Sequence, residues 1–587
     1  MKIYKKSLLY GAFALTLCMA GGCNSNIDLE PEGIITADGY FKSAEDYEKA
    51  LTALYERLNV ESYDLWMDGV TDNGLVTHSW NRGYDLGRGI GSTASSFPAD
   101  KWDKGYISVQ RANNVINNID KYQWPGGESD ANRNQVLGEA RTLRAYFYLD
   151  LVSIFGHIMF YTENPATVAE SENVKQVQDP KEVFDFILDD LDKAIAGLPD
   201  KPSNKSKIGK PAARLLRARA AAYAAGYLND KSYFQITLDE TAQLVASAPQ
   251  LADFDKLFVT GCEDLDEVIL VRRYSLDATN SWGNWYNQSI GGYCVTTPVK
   301  ALADAFEYVG ERNETMPYLN KDPRFYQTIY APGMEMRGKY FNTIPNNVIE
   351  KDGKTYFDPN KDYGALQDKE VSVGDVLAEG GGGEWNKTPT GLSWKKYFQE
   401  EETWTTYNSF IIFRYAEAYL LRAEAYYWKK EYAKAAADVN KIRERAGCTD
   451  LFDAGKLNGL DGLDVIMDER ARELMYEEFR HVELVRVSFI KENQEGNYTS
   501  PKDLADESSN SYWWHRITEY NNYYNKGVKT LHNDEYKIGK YNIFWPIPQT
   551  AIDANLYGRV NQNYGYSGYE LNETPIASQE EQIASGQ

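Results

Sequence analysis

Apolar residues recur at helical spacing over much of the chain, and the clearest case is the stretch 414–447. In its first half they lie at i, i+3, i+4, i+7 and i+11, namely at Ala416, Tyr419, Leu420, Ala423 and Tyr427. After a polar break the spacing resumes at Ala435, Val439 and Ile442, and Gly447 supplies a helix C-cap. The pattern predicts a hairpin of two amphipathic helices.

The same periodicity predicts three helical hairpins, near residues 110–155, 182–248 and 414–446. Residues that start or stop helices mark several boundaries: Ser43 as an N-cap, Pro211 in a first turn, and Gly156 as a C-cap. Small, aromatic and apolar residues of the last hairpin stand at the offsets of a tetratricopeptide unit. We therefore predict a mainly α fold, built on a tetratricopeptide-like scaffold of helical hairpins.

A further helix is predicted over residues 466–485, where charged residues stand at i,i+3 and i,i+4 spacing. Two regions lack periodicity: residues 61–102, and a large loop-rich insertion over about 251–408. We expect the insertion to pack on the helices within a single domain, residues 36–566, and not to form a compact domain of its own. Long irregular loops inside a compact domain are usually functional.

The first residues resemble an export signal. Lys2, Lys5 and Lys6 precede an apolar run, which ends in Gly21, Gly22 and Cys23. Small residues before a cysteine indicate a lipoprotein signal over residues 1–22, lipidation at Cys23 and a tether over residues 23–35. The alternative is an ordinary signal peptide in which the cysteine is coincidental. Residues 567–587 are predicted to be a polar tail.

Charge and composition narrow the possible partners. The net charge of −23 argues against nucleic acid and against attachment to an anionic membrane by surface charge. No run after residue 22 approaches the roughly 20 apolar residues that span a bilayer, so we expect a soluble body that contacts the membrane only through a lipid anchor. The 44 Tyr outnumber the 22 Phe, which favours wet, hydrogen-bonding surfaces.

Signatures of enzymes and metal sites are missing from the sequence. The five His show no metal-ligand spacing, and neither HExxH nor G-x-S-x-G occurs. No EF-hand spacing is present, and the glycine run 380–383 is not followed by the Lys of a phosphate loop. Glu477 and Glu478 could serve a glycosidase, although paired carboxylates are expected by chance among 86 acidic residues. We predict a protein without catalytic residues, cofactor or metal.

An ordered set of short motifs resembles the SusD/RagB family of Bacteroidota outer-membrane lipoproteins. In the first half the motifs are Cys23 with residues 28–31, residues 41–51, and Gly138-Glu139-Ala140 with Leu143-Arg144-Ala145-Tyr146. In the second half they are Asp322-Pro323-Arg324, Arg414-Tyr415-Ala416-Glu417, residues 440–447, Glu469-Arg470 with Glu473 and residues 477–480, residues 545–548, and residues 561–566. Each motif is weak alone, but their order over residues 23–566 is specific.

The resemblance implies a non-catalytic lipoprotein on the cell surface, anchored in the outer membrane. It also implies that the protein captures an oligosaccharide or polysaccharide and acts as the lid of a SusC-like TonB-dependent transporter. The alternatives are a lid that captures oligopeptides, and a tetratricopeptide-type assembly adaptor without a small ligand.

Two aromatic loop clusters are the candidates for glycan contact, because sugars stack on exposed rings and hydrogen-bond to neighbouring polar groups. The early loop supplies Trp66, Trp80, Asn81, Arg82 and Tyr84, and the insertion supplies Trp282, Trp285 and Tyr286. The alternative for each ring is that it packs its own loop onto the helices.

Overall fold

The computed structural model describes residues 37–58, 65–177, 179–280, 282–376, 386–399, 407–448, 450–459, 461–477, 480–492, 513, 516, 538–555 and 560–567. The predictions for the signal segment, Cys23, the tether and the tail beyond residue 567 lie outside these residues.

Helices dominate the described chain, as the periodicity predicts. In chain order they are α1 (Ala37–Tyr40), α2 (Ala44–Tyr55), α3 (Leu65–Asp68), α4 (Tyr84–Gly87), α5 (Ser96–Asn117), α6 (Ala131–Phe155), α7 (Val168–Glu172), α8 (Lys181–Gly197), α9 (Lys210–Tyr227), α10 (Phe234–Ala246), α11 (Lys300–Ala305), α12 (Phe325–Thr328), α13 (Tyr415–Trp428), α14 (Tyr432–Arg445), α15 (Asp461–Leu474), α16 (Arg480–Glu492) and α17 (Gln549–Ala554). The mainly α fold class is confirmed.

The long helices form a layered array in which α5, α6, α8, α9, α10, α13 and α14 each pack against the next. The predicted boundary residues act as expected. The Asp46 carboxylate accepts hydrogen bonds from the backbone N–H and the hydroxyl of Ser43, at 2.9 and 2.8 Å, at the start of α2. Gly156 and Gly447 adopt φ of 70° and 79° where α6 and α14 end. The hairpin α13–α14 is confirmed.

The insertion leaves the helical array between α10 and α13, which pack directly on each other. Its strands are short and pair antiparallel: β2 (Val268–Arg272) with β10 (Phe410–Arg414), β4 (Ile329–Tyr330) with β9 (Ser393–Trp394), β5 (Glu335–Met336) with β6 (Lys339–Tyr340), and β7 (Val348–Lys351) with β8 (Lys354–Phe357). The β2–β10 ladder closes the base of the insertion. One hydrophobic core includes both Leu215 of α9 and Trp394 of β9, so helices and insertion share it.

The helix predicted over residues 466–485 is two helices, α15 and α16, and this corrects the prediction. Helix α15 ends two residues before Tyr476, which adopts a left-handed φ of 64°. The ring of Tyr476 is buried and stacks on Trp394, with centroids 4.8 Å apart. A left-handed conformation is uncommon for a residue other than Gly. The aromatic stack and the buried surroundings explain why the conformation persists here.

Candidate ligand-binding site

The early loop and the insertion meet in a two-stranded ladder. Strand β1 (Gly74–Val76) pairs antiparallel with β3 (Thr296–Pro298), so that Gly74 faces Pro298 and Val76 faces Thr296. Beyond the ladder, the N–H of Thr77 donates to the carbonyl of Val295 at 3.0 Å. The Asn81 side-chain amide donates to the same carbonyl at 3.1 Å. The two loops, which the sequence predicts separately, are therefore joined by backbone pairing and hydrogen bonds.

Two exposed rings lie where these loops join. Trp80 is 55% exposed and Tyr293 is 37% exposed, and every other Trp, Tyr and Phe side chain that the structure describes is buried or half-buried. His78 lies between them: its imidazole stacks on Trp80 with centroids 5.3 Å apart, and its Nε2 is 3.3 Å from the Tyr293 carbonyl oxygen. We call His78, Trp80 and Tyr293 the aromatic face.

Three other predicted residues of the early loop, Asn81, Arg82 and Tyr84, are buried or half-buried. Asn81 is buried and holds the two loops together through its amide. Tyr84 is also buried, under the guanidinium of Arg88, whose carbon lies 3.5 Å from the ring centroid. Arg82 is half-buried and forms an ion pair with Asp100. Of these three, Arg82 alone keeps part of its side chain at the surface.

The predicted residues of the insertion are placed differently from expectation. Trp285 and Tyr286 are both 1% exposed. The Trp285 ring meets that of Tyr476 edge to face, and the Tyr286 hydroxyl donates to the Lys396 carbonyl at 3.1 Å. Their burial corrects the expectation that these rings are presented to a ligand: they hold their loop on the core. The side chains of Trp66 and Trp282 lie outside the described residues.

Tyr293 is not among the predicted contacts, although it is the exposed ring among the side chains of the insertion that the structure describes. It follows Gly291 and Gly292 in a tight loop. Gly291 has a φ of 92°, and a Cβ on Gly292 would lie 2.1 Å from the Tyr286 carbonyl oxygen. The glycine pair before an aromatic residue is the signal that could have singled out Tyr293.

A second cluster of polar residues is buried, and we call it the ion cluster. Its cations are Arg324, Lys396, Arg414, Arg443 and Arg445, and its anions are Glu267, Asp322, Glu469, Glu473 and Glu477. Arg414, the last residue of β10, is at its centre, with Nε 2.8 Å from Glu477 and Nη1 3.1 Å from Glu267. The charged residues Glu469, Glu473 and Glu477, predicted to pair at i,i+3 and i,i+4 spacing along one helix, pair with cations of α14, β10 and the insertion.

Electrostatics in the ion cluster lower the pKa of three of its carboxyl groups, those of Glu469, Glu473 and Glu477. Burial opposes the charge on Glu473, but the guanidinium groups of Arg445, Arg414 and Arg324 outweigh it and hold the pKa well below its ordinary value. For Lys396, burial disfavours the charged form and lowers the pKa to about 8, although the nearby carboxylate of Glu477 counteracts this shift. Glu477 is thus enclosed and neutralised by Arg414 and Lys396. It has neither the access nor the proton affinity of a glycosidase acid.

Within the described ranges, no group of three or more His, Cys, Asp and Glu side chains is arranged to hold a metal ion. Among the same residues, none of the helices has the length and apolarity needed to cross a membrane. Cys262, Cys294 and Cys448 are buried free thiols. We take the aromatic face as the candidate ligand-binding surface because its rings are exposed.

Two family descriptions match the sequence. The SusD family matches residues 266–566, which is just over half of the chain, and the family "Starch-binding associating with outer membrane" matches residues 39–225. The two matches together include both loops of the aromatic face and the whole ion cluster.

Individual relatives match over most of their length. SusD-like protein P25 of Formosa agariphila is 24% identical over 511 residues, covering 83% of this chain and 90% of the relative. The crystal structure of a SusD-like protein from Bacteroides fragilis superposes with a TM-score of 0.66 at 21% identity, covering 91% of this chain and 99% of that one. A laminarin-binding SusD-like protein superposes with a TM-score of 0.61 at 20% identity, covering 90% and 100%. These structures share the fold described above.

Proposed function

This chain belongs to the SusD family, and from that premise we propose that it binds carbohydrate at the aromatic face without transforming it. The observation that carries the proposal is the exposure of Trp80 and Tyr293 on two loops that the fold joins. The two rings are exposed among the described residues, and they come from loops more than two hundred residues apart that β1 and β3 join. Exposed aromatic rings beside polar groups are the kind of surface on which a sugar can stack.

Sugar chemistry fits this surface. The C–H faces of a pyranose stack on aromatic rings, while its hydroxyls need donors and acceptors around the rings. Exposed Gln288 and half-buried Arg82 lie on the same two loops as the rings and can supply hydrogen bonds. The starch and laminarin in the descriptions of the family and of one structural relative support a glucan as the first ligand to test.

The cellular role that we propose is capture at the outer membrane. Lipidation of Cys23 would hold the protein at the cell surface through a tether, and the protein would act as the lid of a SusC-like TonB-dependent transporter. A bacterial lipoprotein cysteine carries several acyl chains, which anchor more firmly than a single chain. The description of the family that matches residues 39–225 includes association with the outer membrane, and this supports the location.

A polysaccharide panel tests the ligand. Laminarin, starch and unrelated polysaccharides are offered to the wild type, Trp80→Ala and Tyr293→Ala, and dissociation constants are measured by calorimetry. The matched control is Leu276→Ala, because Leu276 is 78% exposed and lies outside the aromatic face. We expect at least one glucan to bind, and each ring variant to weaken binding about tenfold. The control should bind as the wild type does.

The same binding measurements include three results that would contradict the proposal. If the wild type binds no polysaccharide but binds an oligopeptide mixture, carbohydrate capture is wrong and peptide capture replaces it. If oligosaccharide products are released, the protein is an enzyme and the proposal is wrong. Equal binding by all variants would place the ligand elsewhere.

Localisation is tested separately. Cys23→Ser is expected to move the protein from the outer-membrane fraction to the soluble fraction. The wild type, solubilised and affinity-purified, is expected to bring an integral β-barrel protein with it. A wild type that stays soluble would contradict the lipid anchor and leave the carbohydrate proposal untouched.

A further inference from the structure

We propose that Asp375 is the positioning residue of the aromatic face: its buried carboxylate holds the loop that presents Tyr293. This inference rests on the proposed function for its consequence in binding, but not for its structural basis. Asp375 lies in the insertion, distant in sequence from Tyr293, and was not among the residues that the sequence singled out.

The loop in question is residues 286–294. It is closed by a hydrogen bond from the N–H of Cys294 to the carbonyl of Tyr286 at 2.8 Å. Inside it, the N–H groups of Ile290 and Gly292 both donate to the Asn287 carbonyl, at 3.3 and 3.0 Å. Residues Gln288–Ile290 form a single 3-10 turn, and the exposed Tyr293 follows it in the same loop.

The first N–H groups of a helical turn have no partner within the turn and need one from outside. Here Asp375 supplies it. Its Oδ1 accepts from the N–H of Gln288 at 3.0 Å, and its Oδ2 accepts from the N–H of Ser289 at 2.9 Å. Such a carboxylate acts as an N-cap, except that it comes from a distant segment. Both oxygens are used, so the carboxylate fixes the turn at two points.

The surroundings of Asp375 make this contact difficult to replace. Asp375 is fully buried. Burial raises the pKa of its carboxyl, while the bonds from Ser289 and Gln288 and the nearby Lys387 favour the charged form. Its segment packs closely on the loop: the Ser372 hydroxyl donates to that of Ser289 at 2.7 Å, and a Cβ on Gly374 would lie 2.8 Å from the same hydroxyl oxygen. A side chain without an acceptor at this position would leave the two partly buried N–H groups of Gln288 and Ser289 without this partner.

The consequence for the site follows from the geometry. The loop carries Tyr293, and the Tyr293 carbonyl oxygen is 3.3 Å from the Nε2 of His78, whose ring stacks on Trp80. Release of the turn from Asp375 would therefore displace Tyr293 relative to Trp80. Rings that a ligand bridges lose affinity when either one moves, because binding depends on preorganisation.

A thiol buried in the loop reports its opening without any ligand. Cys294 is inaccessible in the closed loop, and Cys262 and Cys448 are buried thiols elsewhere in the fold. Labelling of each cysteine by a thiol reagent is followed by mass spectrometry in the wild type, Asp375→Ala and Asp375→Asn. The matched control is Asp190→Asn, which removes a buried carboxylate that accepts two bonds from Arg144, at 2.8 and 2.9 Å, far from the loop in sequence.

We expect Asp375→Ala to label Cys294 about tenfold faster while Cys262 and Cys448 are unchanged, which is the signature of local opening. Glucan affinity should fall about tenfold, as in Tyr293→Ala, and the double variant should bind no more weakly than Tyr293→Ala alone. Asp375→Asn keeps one acceptor and should show a smaller effect on both readouts. Asp190→Asn should change neither Cys294 labelling nor affinity.

Three results would overturn the inference: unchanged Cys294 labelling in Asp375→Ala, equal acceleration of all three cysteines, or losses of affinity that add in the double variant. If the wild type binds no glucan, the proposed function fails. Cys294 labelling then still decides whether Asp375 holds the loop.

Discussion

In the ion cluster, charged side chains are buried and each is held by several partners, whereas at the aromatic face rings are exposed and supported mostly from one side. The ion cluster contains Asp322, Arg324, Arg414, Glu469 and Glu473, which belong to the motifs that make the chain resemble its family. The aromatic face contains none of those motif residues. The residues that identify the fold are therefore different from those proposed to contact the ligand.

The two regions differ in how much a substitution lowers the free energy of unfolding. Removal of one partner from a buried ion pair leaves an uncompensated charge, which is strongly destabilising. An exposed ring can be exchanged with little effect on folding, because it buries little surface in the folded state. A scaffold of this kind can keep its core while its binding loops vary. The predictions that follow test this separation of stability from binding, in order of decreasing effect.

Arg414→Ala should have the largest effect, because it leaves Glu267, Glu473 and Glu477 without their shared cation. We expect the free energy of unfolding to fall by about 3–5 kcal/mol, measured by urea unfolding. The control Lys49→Ala removes an exposed pair with Glu45 and should cost less than about 0.5 kcal/mol. Equal costs for the two variants would show that the ion cluster does not stabilise the fold.

Acid should weaken the same cluster. Burial opposes ionisation of Glu469, but Arg324, Arg472 and Arg443 outweigh it and lower the pKa from 4.5 to about 2. The unfolded chain therefore binds this proton at a higher pH than the folded chain does. The stabilisation, about 3 kcal/mol, is present above pH 4.5 and is lost as the pH falls toward 2.

The measurement is urea unfolding between pH 6 and pH 3, comparing the wild type with Glu469→Gln. The variant is expected to be less stable at pH 6 and to show a flatter dependence on pH, because the titrating group is gone. Parallel curves for the two proteins would assign the acid sensitivity to other carboxylates, of which Asp72, with a pKa lowered to about 2, is the first to test.

At position 80 of the aromatic face, a flat ring should matter more for glucan binding than the volume of the side chain. Trp80→Leu is expected to weaken glucan binding about tenfold, since stacking requires a flat face, while Trp80→Phe should lose less than about threefold. Both should unfold within about 0.5 kcal/mol of the wild type, because Trp80 is exposed. A large loss of stability in either variant would break the separation between the two regions.

His78→Ala should have the smallest effect. Its imidazole stacks on Trp80 with rings 6° from parallel, and aromatic pairs contribute about 0.5–1.5 kcal/mol. We expect about threefold weaker binding, with no further loss when Trp80 is already Leu. Independent, additive losses would mean that His78 touches the ligand directly.

The sequence predicts helices well and side-chain environments poorly. Periodic apolar positions and the caps Ser43, Gly156 and Gly447 locate helices, because those signals are local. The break at Tyr476 was missed, since a left-handed Tyr leaves no turn signature. The sequence does not predict the burial of Glu473, because its partners Arg324 and Arg414 are distant in sequence. Charged residues one turn away in the same helix suggest local ion pairs instead.

The sequence singles out the two loops, but the exposure of their rings differs from the expectation: Trp80 is exposed, whereas Trp285 and Tyr286 are buried. Trp80 and Trp285 have the same chemistry and similar neighbours in sequence, yet one is at the surface and the other is in the core. The difference between them comes from tertiary contacts, because β1 pairs with β3 and the ring of Trp285 packs against that of Tyr476. Tyr293 and Asp375 depend on the path of the insertion, which no local pattern describes.

The direct packing of α10 on α13 has a consequence for how the chain acquires its shape during synthesis. Helices α5 to α10 leave the ribosome before the insertion and bury much of their apolar surface against one another. Helix α13 completes the array only after the whole insertion has been made. The entropy of closing that connection grows with the logarithm of its length, about 0.6 kcal/mol per doubling. The insertion can therefore lengthen or shorten at little cost to folding, and its loops can change while the helical array stays the same.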